Sequence, residues 1–226
     1  MKKFLMVATA LIVAFGTCFA VDKSELKEIR KERQLVRKMS KKELNEKATK
    51  DARKQAKVLK KAGWIVSPGT LPLEKQLDRA YLMENEFDED LFPKYIMANA
   101  QSVGGNYDAA KTAAQSLAIT NLAGQIQTEV TALVENTVAN KQLEEGDAVS
   151  ITETVMSSKN LISQSIGRTL TVVECYRDLK NGNKEVLVRI AYNGEMAKKA
   201  AQKAVRDELE KKGGNLHEQL DKALGL

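Results

Sequence analysis

The chain of 226 residues has little proline, histidine or aromatic side chain: three Pro, one His, one Trp, five Tyr and five Phe. Scarce proline leaves helices free to run long. If Cys18 leaves with a cleaved N-terminal segment, one histidine with one cysteine cannot assemble the common zinc ligand sets. A nucleophile–base pair would have to use His217, which falls on a charged C-terminal stretch and reads as a solvated helix residue. Collagen-like, Pro/Gly-rich disordered and disulfide-dense classes are excluded by the same counts. Gly104-Gly105 lacks the further glycines and the lysine of a phosphate loop. No motif positions a pair of carboxylates for hydrolysis, and the few aromatics argue against a sugar-binding cleft. The chain is therefore expected to be a non-enzyme, with no catalytic, cofactor-binding or metal-binding residue and no cofactor.

Long apolar runs are also missing after the first twenty residues. Met1-Lys2-Lys3 is basic, and Phe4 to Phe15 carries no charge. As a helix that run would rise about 18 Å, short of a hydrocarbon core of about 30 Å. With Gly16 to Ala20 following, residues 1–20 read as a secretory signal peptide cut after Ala20. The rival is a lipobox ending at Cys18, which would leave a lipid-anchored protein; Thr17 fits that poorly. Cleavage after Ala20 leaves Cys175 without a partner, and its strand-like setting, Thr169 to Arg177, suggests a half-buried small hydrophobe.

What the chain has in excess is basic charge, placed unevenly. Residues 21–63 hold sixteen basic and seven acidic side chains, net +9, whereas residues 64–226 sum to −5. Leu26, Ile29, Val36, Leu44, Ala48, Ala52, Ala56 and Leu59 recur at helical spacing, so 21–63 is expected as one basic amphipathic helix ended by Gly63. Lys27, Arg30, Arg37, Lys41 and Lys54 represent its charged face and, with Trp64, are the expected partner-contact residues; Trp64 is also expected to anchor the helix to the domain. The apolar stripe is thinned by alanines, which disfavours deep membrane insertion. Its charges carry no interleaved aromatics, and export would remove nucleic acid as a partner. Packing on another helix or an acidic surface suits it better. Residues 64–92 are expected as a linker with a short helix after Pro72 and a solvated acidic loop over 84–90.

From Tyr95 the pattern changes. Tyr95–Val103 reads as a strand stopped by Gly104-Gly105, Tyr107 to Ala139 as a long helix, and Val149 to Ser163 as a second helix. Leu170–Tyr176 and Glu185–Tyr192 are strand-like and joined through Asn181-Gly182, a strong hairpin signal. A helix from Glu195 to Lys211 comes next, then a helical tail over 213–226. The expected fold is α+β: a small antiparallel sheet with helices on one side, the domain spanning 93–212 behind the long basic helix.

Tyr95 to Tyr192 resembles the domain of the LPP-twenty lipoprotein family of bacterial envelope proteins, which is similar to the N-terminal domain of flagellar assembly protein T. The resemblance is carried by Val103-Gly104-Gly105, Asp108-Ala109-Ala110, Ala113-Ala114, Leu122-Ala123-Gly124-Gln125-Ile126 and the Leu187–Tyr192 strand. It implies an α+β fold without catalysis in the periplasm or at the outer membrane of a Gram-negative cell, and it carries over no functional residue. The joint expectation is an exported, non-enzymatic envelope protein acting as a structural or protein-interaction module. Its partner would be an envelope protein or its own copies, with peripheral outer-membrane association as a further expectation. The alternatives are an outer-membrane lipoprotein anchored through Cys18 and a small-ligand-binding domain.

Overall fold

Thr49 sets where the first continuously described helix begins. Its Oγ1 accepts a hydrogen bond from Ala52 N at 3.4 Å, as a short hydroxyl side chain does at an N-cap. Its own N–H donates to Asp78 Oδ1 at 2.9 Å. A computed structural model of the chain describes residues 45–88, 93–140 and 143–225, together with Lys27, Arg30, Lys31, Arg33, Gln34, Leu35 and Lys38. The chain divides into two compact units, Met1–Lys47 and Ala48–Leu226. In the first, those isolated positions from Lys27 to Lys38 are helical and exposed.

The single helix expected over 21–63 is corrected: Glu46 is a bend, and Lys47, Ala48 and Thr49 are outside any helix. No Gly or Pro marks this break. Ala48 is buried against the second unit's core, and Thr49 is tied to Asp78, so tertiary contacts override the local helical pattern. Helix α1 then spans Lys50–Lys61, and Gly63, at φ +87°, gives the turn after it that a residue with a Cβ would resist.

Residues 64–88 are not a linker. Trp64 is buried, Leu73–Glu84 forms α2, and α2 buries Leu73, Leu77, Ala80 and Met83. They belong to the same body as the sheet. Strands β1 (Tyr95–Gly104), β2 (Leu170–Asp178) and β3 (Lys184–Asn193) make an antiparallel sheet in the order β1-β3-β2. The β2–β3 connection turns at Gly182, φ +82°, as the Asn-Gly signal predicts. Backbone bonds of 2.8 Å in each direction between Ile65 and Tyr176 lay the chain after α1 along the outer edge of β2.

The helices expected on one side of the sheet are found on both. Val186, Val188, Ile190 and Tyr192 of β3 join one core, while Leu187 and Ala191, of opposite parity, join the other. Strand parity alone sends successive residues to opposite faces, and both faces here are apolar. Val172 adds to this. It is the extra residue at the register shift between Thr171 and Val173, so a β-bulge turns both Val172 and Val173 toward the core beneath α1 and α2.

The other face is covered by α3 (Tyr107–Ala139), behind which lie α4 (Glu145–Ser157), α5 (Lys159–Ser165), α6 (Gly194–Lys212) and α7 (Leu216–Leu224). Asn106 Oδ1 caps α3 by accepting from Ala109 N at 2.9 Å. Ala110, Ala114, Ala118, Leu122, Ile126, Val130 and Val134 are buried at steps of four. Each such step advances about 40° round a helix, so the lane turns about 240° along α3. One helix can therefore face the sheet with alanines and reach other helices with larger side chains. At the sheet end the approach is tight: a Cβ on Gly104 would lie 2.6 Å from Ala110 N. The expected helix over Val149–Ser163 begins earlier, at Glu145, and divides at Ser158. The expected tail is part of the body, since Leu216, Leu220 and Leu224 are buried in the main core.

Candidate functional site

Helix α1 is the most strongly charged surface of the second unit. Its buried side is Ala52 and Ala56, with Leu59 partly buried. Lys50, Lys54, Lys57 and Lys61 follow one another at steps of four, three and four, and all are exposed. At 100° per residue they form one line opposite the buried alanines, about 16 Å long. Neighbouring cations are engaged: Lys60 Nζ lies 2.8 Å from Glu74 Oε2, and Arg53 Nε donates to Ala48 O at 3.1 Å. The four lysines in the line make no ion pair or hydrogen bond with any described residue.

Trp64 is buried in the core beneath α1 and α2. The Arg177 guanidinium lies 4.8 Å from the centroid of its ring. The same guanidinium bonds Glu185 Oε2 at 2.7 Å and Ala62 O at 3.3 Å, so α1's C-terminal end is fastened to the β2–β3 hairpin. Of the other expected contact residues, Lys54 is on the exposed line, and Lys27 and Arg30 are exposed helical positions of the first unit. Arg37 and Lys41 lie outside the described residues, as do the segment 1–20 and Cys18. Sequence reasoning missed Lys50, Lys57 and Lys61, although the 4-3-4 spacing they make with Lys54 is readable once α1 is known to begin after Thr49.

A polar cluster joins the layers at the β2 edge. Tyr107 O–H donates to Glu174 Oε1, and Lys111 Nζ lies 2.9 Å from the same oxygen. Ser67 Oγ donates to Tyr107 Oη at 2.7 Å, and Glu174 N donates to Gln76 Oε1 at 2.7 Å. Burial first, then the Glu174 bond, pushes the Tyr107 phenol above its ordinary range. The Glu174 bond raises the Lys111 ammonium. Both shifts keep the tyrosine neutral and the lysine charged, which suits a fixed structural clamp.

A cleft of about 290 Å³ opens between α3, α6 and the start of β1, with Ile96, Ile126, Val130, Leu133 and Ala197 among its walls. Glu129 stands at its rim, its carboxyl raised by the surrounding protein and lowered in part by Lys198. Lys198 Nζ is 3.1 Å from Glu195 Oε1.

The remaining chemistry is quiet. Cys175 is fully buried rather than half-buried, and its thiol is pushed up to about 12 by burial and then by Glu174, so it holds no thiolate at neutral pH. His217 is half-buried, with a buried Nδ1 that meets no hydrogen-bond partner among the described residues. The acidic stretch is not simply solvated: Glu84 Oε1 is 2.8 Å from Arg189 Nη2, and Glu86 pairs with Lys94. No group of three or more metal-ligating side chains occurs among the described residues, and no helix among them is long and apolar enough to cross a membrane.

Fold and surface together define an α+β protein with helices on both faces of a three-stranded sheet and a lysine-lined outer helix. Comparison with protein-family models, with curated proteins and with solved structures gives no match in any of the three.

Proposed function

We propose that this chain is an exported, non-enzymatic envelope protein acting as a structural and interaction module, with the exposed face of α1 as its docking surface for an acidic partner. The observation that carries the reading is the line of Lys50, Lys54, Lys57 and Lys61, held outward by a well-packed body and left without counter-charges by described residues. Four such lysines concentrate positive potential along one face, which draws an anionic partner and sets its orientation. The apolar run before Gly16 supports export, and the resemblance of 95–192 to the LPP-twenty family supports an envelope location. Lipid attachment through Cys18 is the accompanying alternative, and palmitate labelling of the wild-type chain against Cys18→Ser tests it.

Removing 21–63 whole would not test the docking face, because Ala48, Ala52 and Ala56 belong to the core. The test is a fourfold variant, Lys50, Lys54, Lys57 and Lys61 each to Gln, compared with wild type by crosslinking and pull-down from the native cell. Wild type is expected to hold its acidic partner in a salt-sensitive way and the variant to lose it. An unchanged set of crosslinked partners, with an unchanged melting curve, overturns the reading.

The cleft by Ile96 and Glu129 favours a second reading, a small-ligand-binding domain. It predicts a stabilising hit in a thermal-shift screen of small amphipathic molecules, lost in Val130→Trp.

A further inference from the structure

The sheet has two edges, and among the described residues β2 is the better defended of them. Edge strand β2 carries Glu174, Arg177 and Asp178, contains the bulge at Val172, and is paired outside by Ile65. Charges, bulges and covering segments are the devices that keep an edge from recruiting another strand. From Asn99 onward, edge strand β1 has none of them among the described residues. Its ten residues, YIMANAQSVG, include no charge and no proline, and it pairs with β3 from Tyr95 to Gly104 without a register shift.

The direction of its backbone groups follows from the ladder. Gly194 N–H donates to Lys94 O at 2.9 Å, on the register that sets Tyr95 opposite Asn193. In an antiparallel pair the N–H and C=O of one residue point the same way, and alternate residues point to opposite sides. The Lys94 carbonyl and both groups of Ile96, Ala98, Ala100 and Ser102 therefore address β3, while Met97, Asn99, Gln101 and Val103 address the outside. Asn121 Nδ2 donates to Asn99 O at 3.0 Å, which agrees with that parity and leaves the carbonyl's second lone pair open. No other backbone group of the described residues pairs with this outer row. Asn99, Gln101 and Val103 are also exposed, whereas the start of the strand is closed off by Glu86, whose carbonyl accepts from Lys94 N at 2.8 Å.

We propose that the outer edge of β1, from Asn99 to Val103, is a self-pairing surface. Two copies join antiparallel about a twofold axis at Gln101, extending the sheet across both. The occupant is a second copy because this row complements itself. A twofold interface sets each residue against its own kind or its mirror position. Gln101 meets Gln101, and a primary amide is both donor and acceptor. Asn99 meets Val103, and no like charges are brought together. A foreign strand would gain specificity from free charges beside the edge, whereas the β3 charges next to this row, Arg189 and Glu185, are already paired with Glu84 and Arg177. The surface is separate from the lysine line on α1, so it does not depend on what α1 binds.

Sedimentation velocity tests the proposal on the full chain over a loading range of roughly 10 to 300 µM, where strand pairing with a small buried area should act. Wild type is expected to shift from monomer toward dimer with concentration. Gln101→Lys, which sets two ammonium groups together at the axis, is expected to weaken dimerisation at least about tenfold. Val103→Lys serves as a second variant on the same edge and is expected to act in the same direction. Val149→Lys, at an exposed apolar position on α4, is expected to dimerise like wild type. A wild-type chain that stays monomeric throughout overturns the proposal, as does a dimer equally sensitive to Gln101→Lys and Val149→Lys.

Discussion

The two faces of the sheet are closed by unlike means. Beneath α3 the seal is apolar and deep: Leu122, Ile126, Val130 and Val134 are buried with Ile151, Ile162, Leu209 and Leu220 from the surrounding helices. Beneath α1 and α2 the larger buried side chains are Leu73, Leu77, Met83 and Trp64, and α1 itself supplies only alanines and a partly buried leucine. Apolar burial contributes about 25 cal/mol per Å², so alanines hold α1 weakly. Directional contacts at its ends supplement them: Thr49 N to Asp78, Lys60 to Glu74, and Arg177 across Trp64 to Ala62. A helix held this way keeps its outer surface free for charge. The deep face specifies the fold, and the shallow face carries the docking surface proposed above.

Core truncation separates the two most sharply. Leu122→Ala, at a fully buried position under α3, is expected to cost about 2–5 kcal/mol and to lower the main unfolding transition. Trp64→Ala removes a larger side chain, yet its cost is limited by the free energy of releasing α1. It is expected to lower that transition by about 1–3 kcal/mol and to speed amide exchange selectively in Lys50–Lys61. If Trp64→Ala deprotects α3 as much as α1, the two faces are one cooperative layer and the comparison fails.

Glu174 bridges the two faces. Its carboxylate takes Tyr107 and Lys111 from the α3 side, while its backbone N–H bonds Gln76 from the α2 side. Glu174→Gln keeps the shape and removes the charge that Lys111 answers, so a loss of about 1–3 kcal/mol is expected in urea unfolding. Tyr107→Phe introduced into the Glu174→Gln background should then cost less than Tyr107→Phe introduced into wild type. Equal costs in both backgrounds would mean that the cluster is not coupled.

The same contrast explains what could be read in advance. Strands β1 and β3, the hairpin turn at Gly182 and the span of α3 follow from period-2 alternation, Asn-Gly chemistry and the capped alanine-rich run. Those are local signals, and the deep face is built largely from them. The shallow face depends on long-range contacts: Thr49 finds Asp78, and Arg177 finds Trp64. Near Glu46 the local mark of a break is the capping residue Thr49 with Asp51 after it, and with no Gly or Pro beside them 21–63 reads as one helix. A hint of the second face was available, because Leu187 and Ala191 interrupt the polar positions of β3 and Cys175 lies beside Val172-Val173. Which lysines remain unpaired depends on the partners of their neighbours, and that information belongs to the folded surface.

The smallest effect tests whether the cleft beside the deep face is as dry as the core around it. Glu129 is crowded enough that its carboxyl titrates above the ordinary range, Lys198 offsetting part of this. Over the window from the ordinary glutamate range up to that raised value, the folded chain keeps a proton that the unfolded chain has released. Stability contributed at this position must therefore fall as pH rises through the window. Glu129→Gln has no proton to lose, so the melting temperature of wild type relative to Glu129→Gln should fall on going from about pH 4 to about pH 7. The side chain is substantially exposed, and solvent screening should hold the difference to about 1–2 °C. Parallel pH profiles for the two proteins would mean that water reaches Glu129 freely; a relative rise would mean that Lys198 dominates and the carboxyl is stabilised in its charged form.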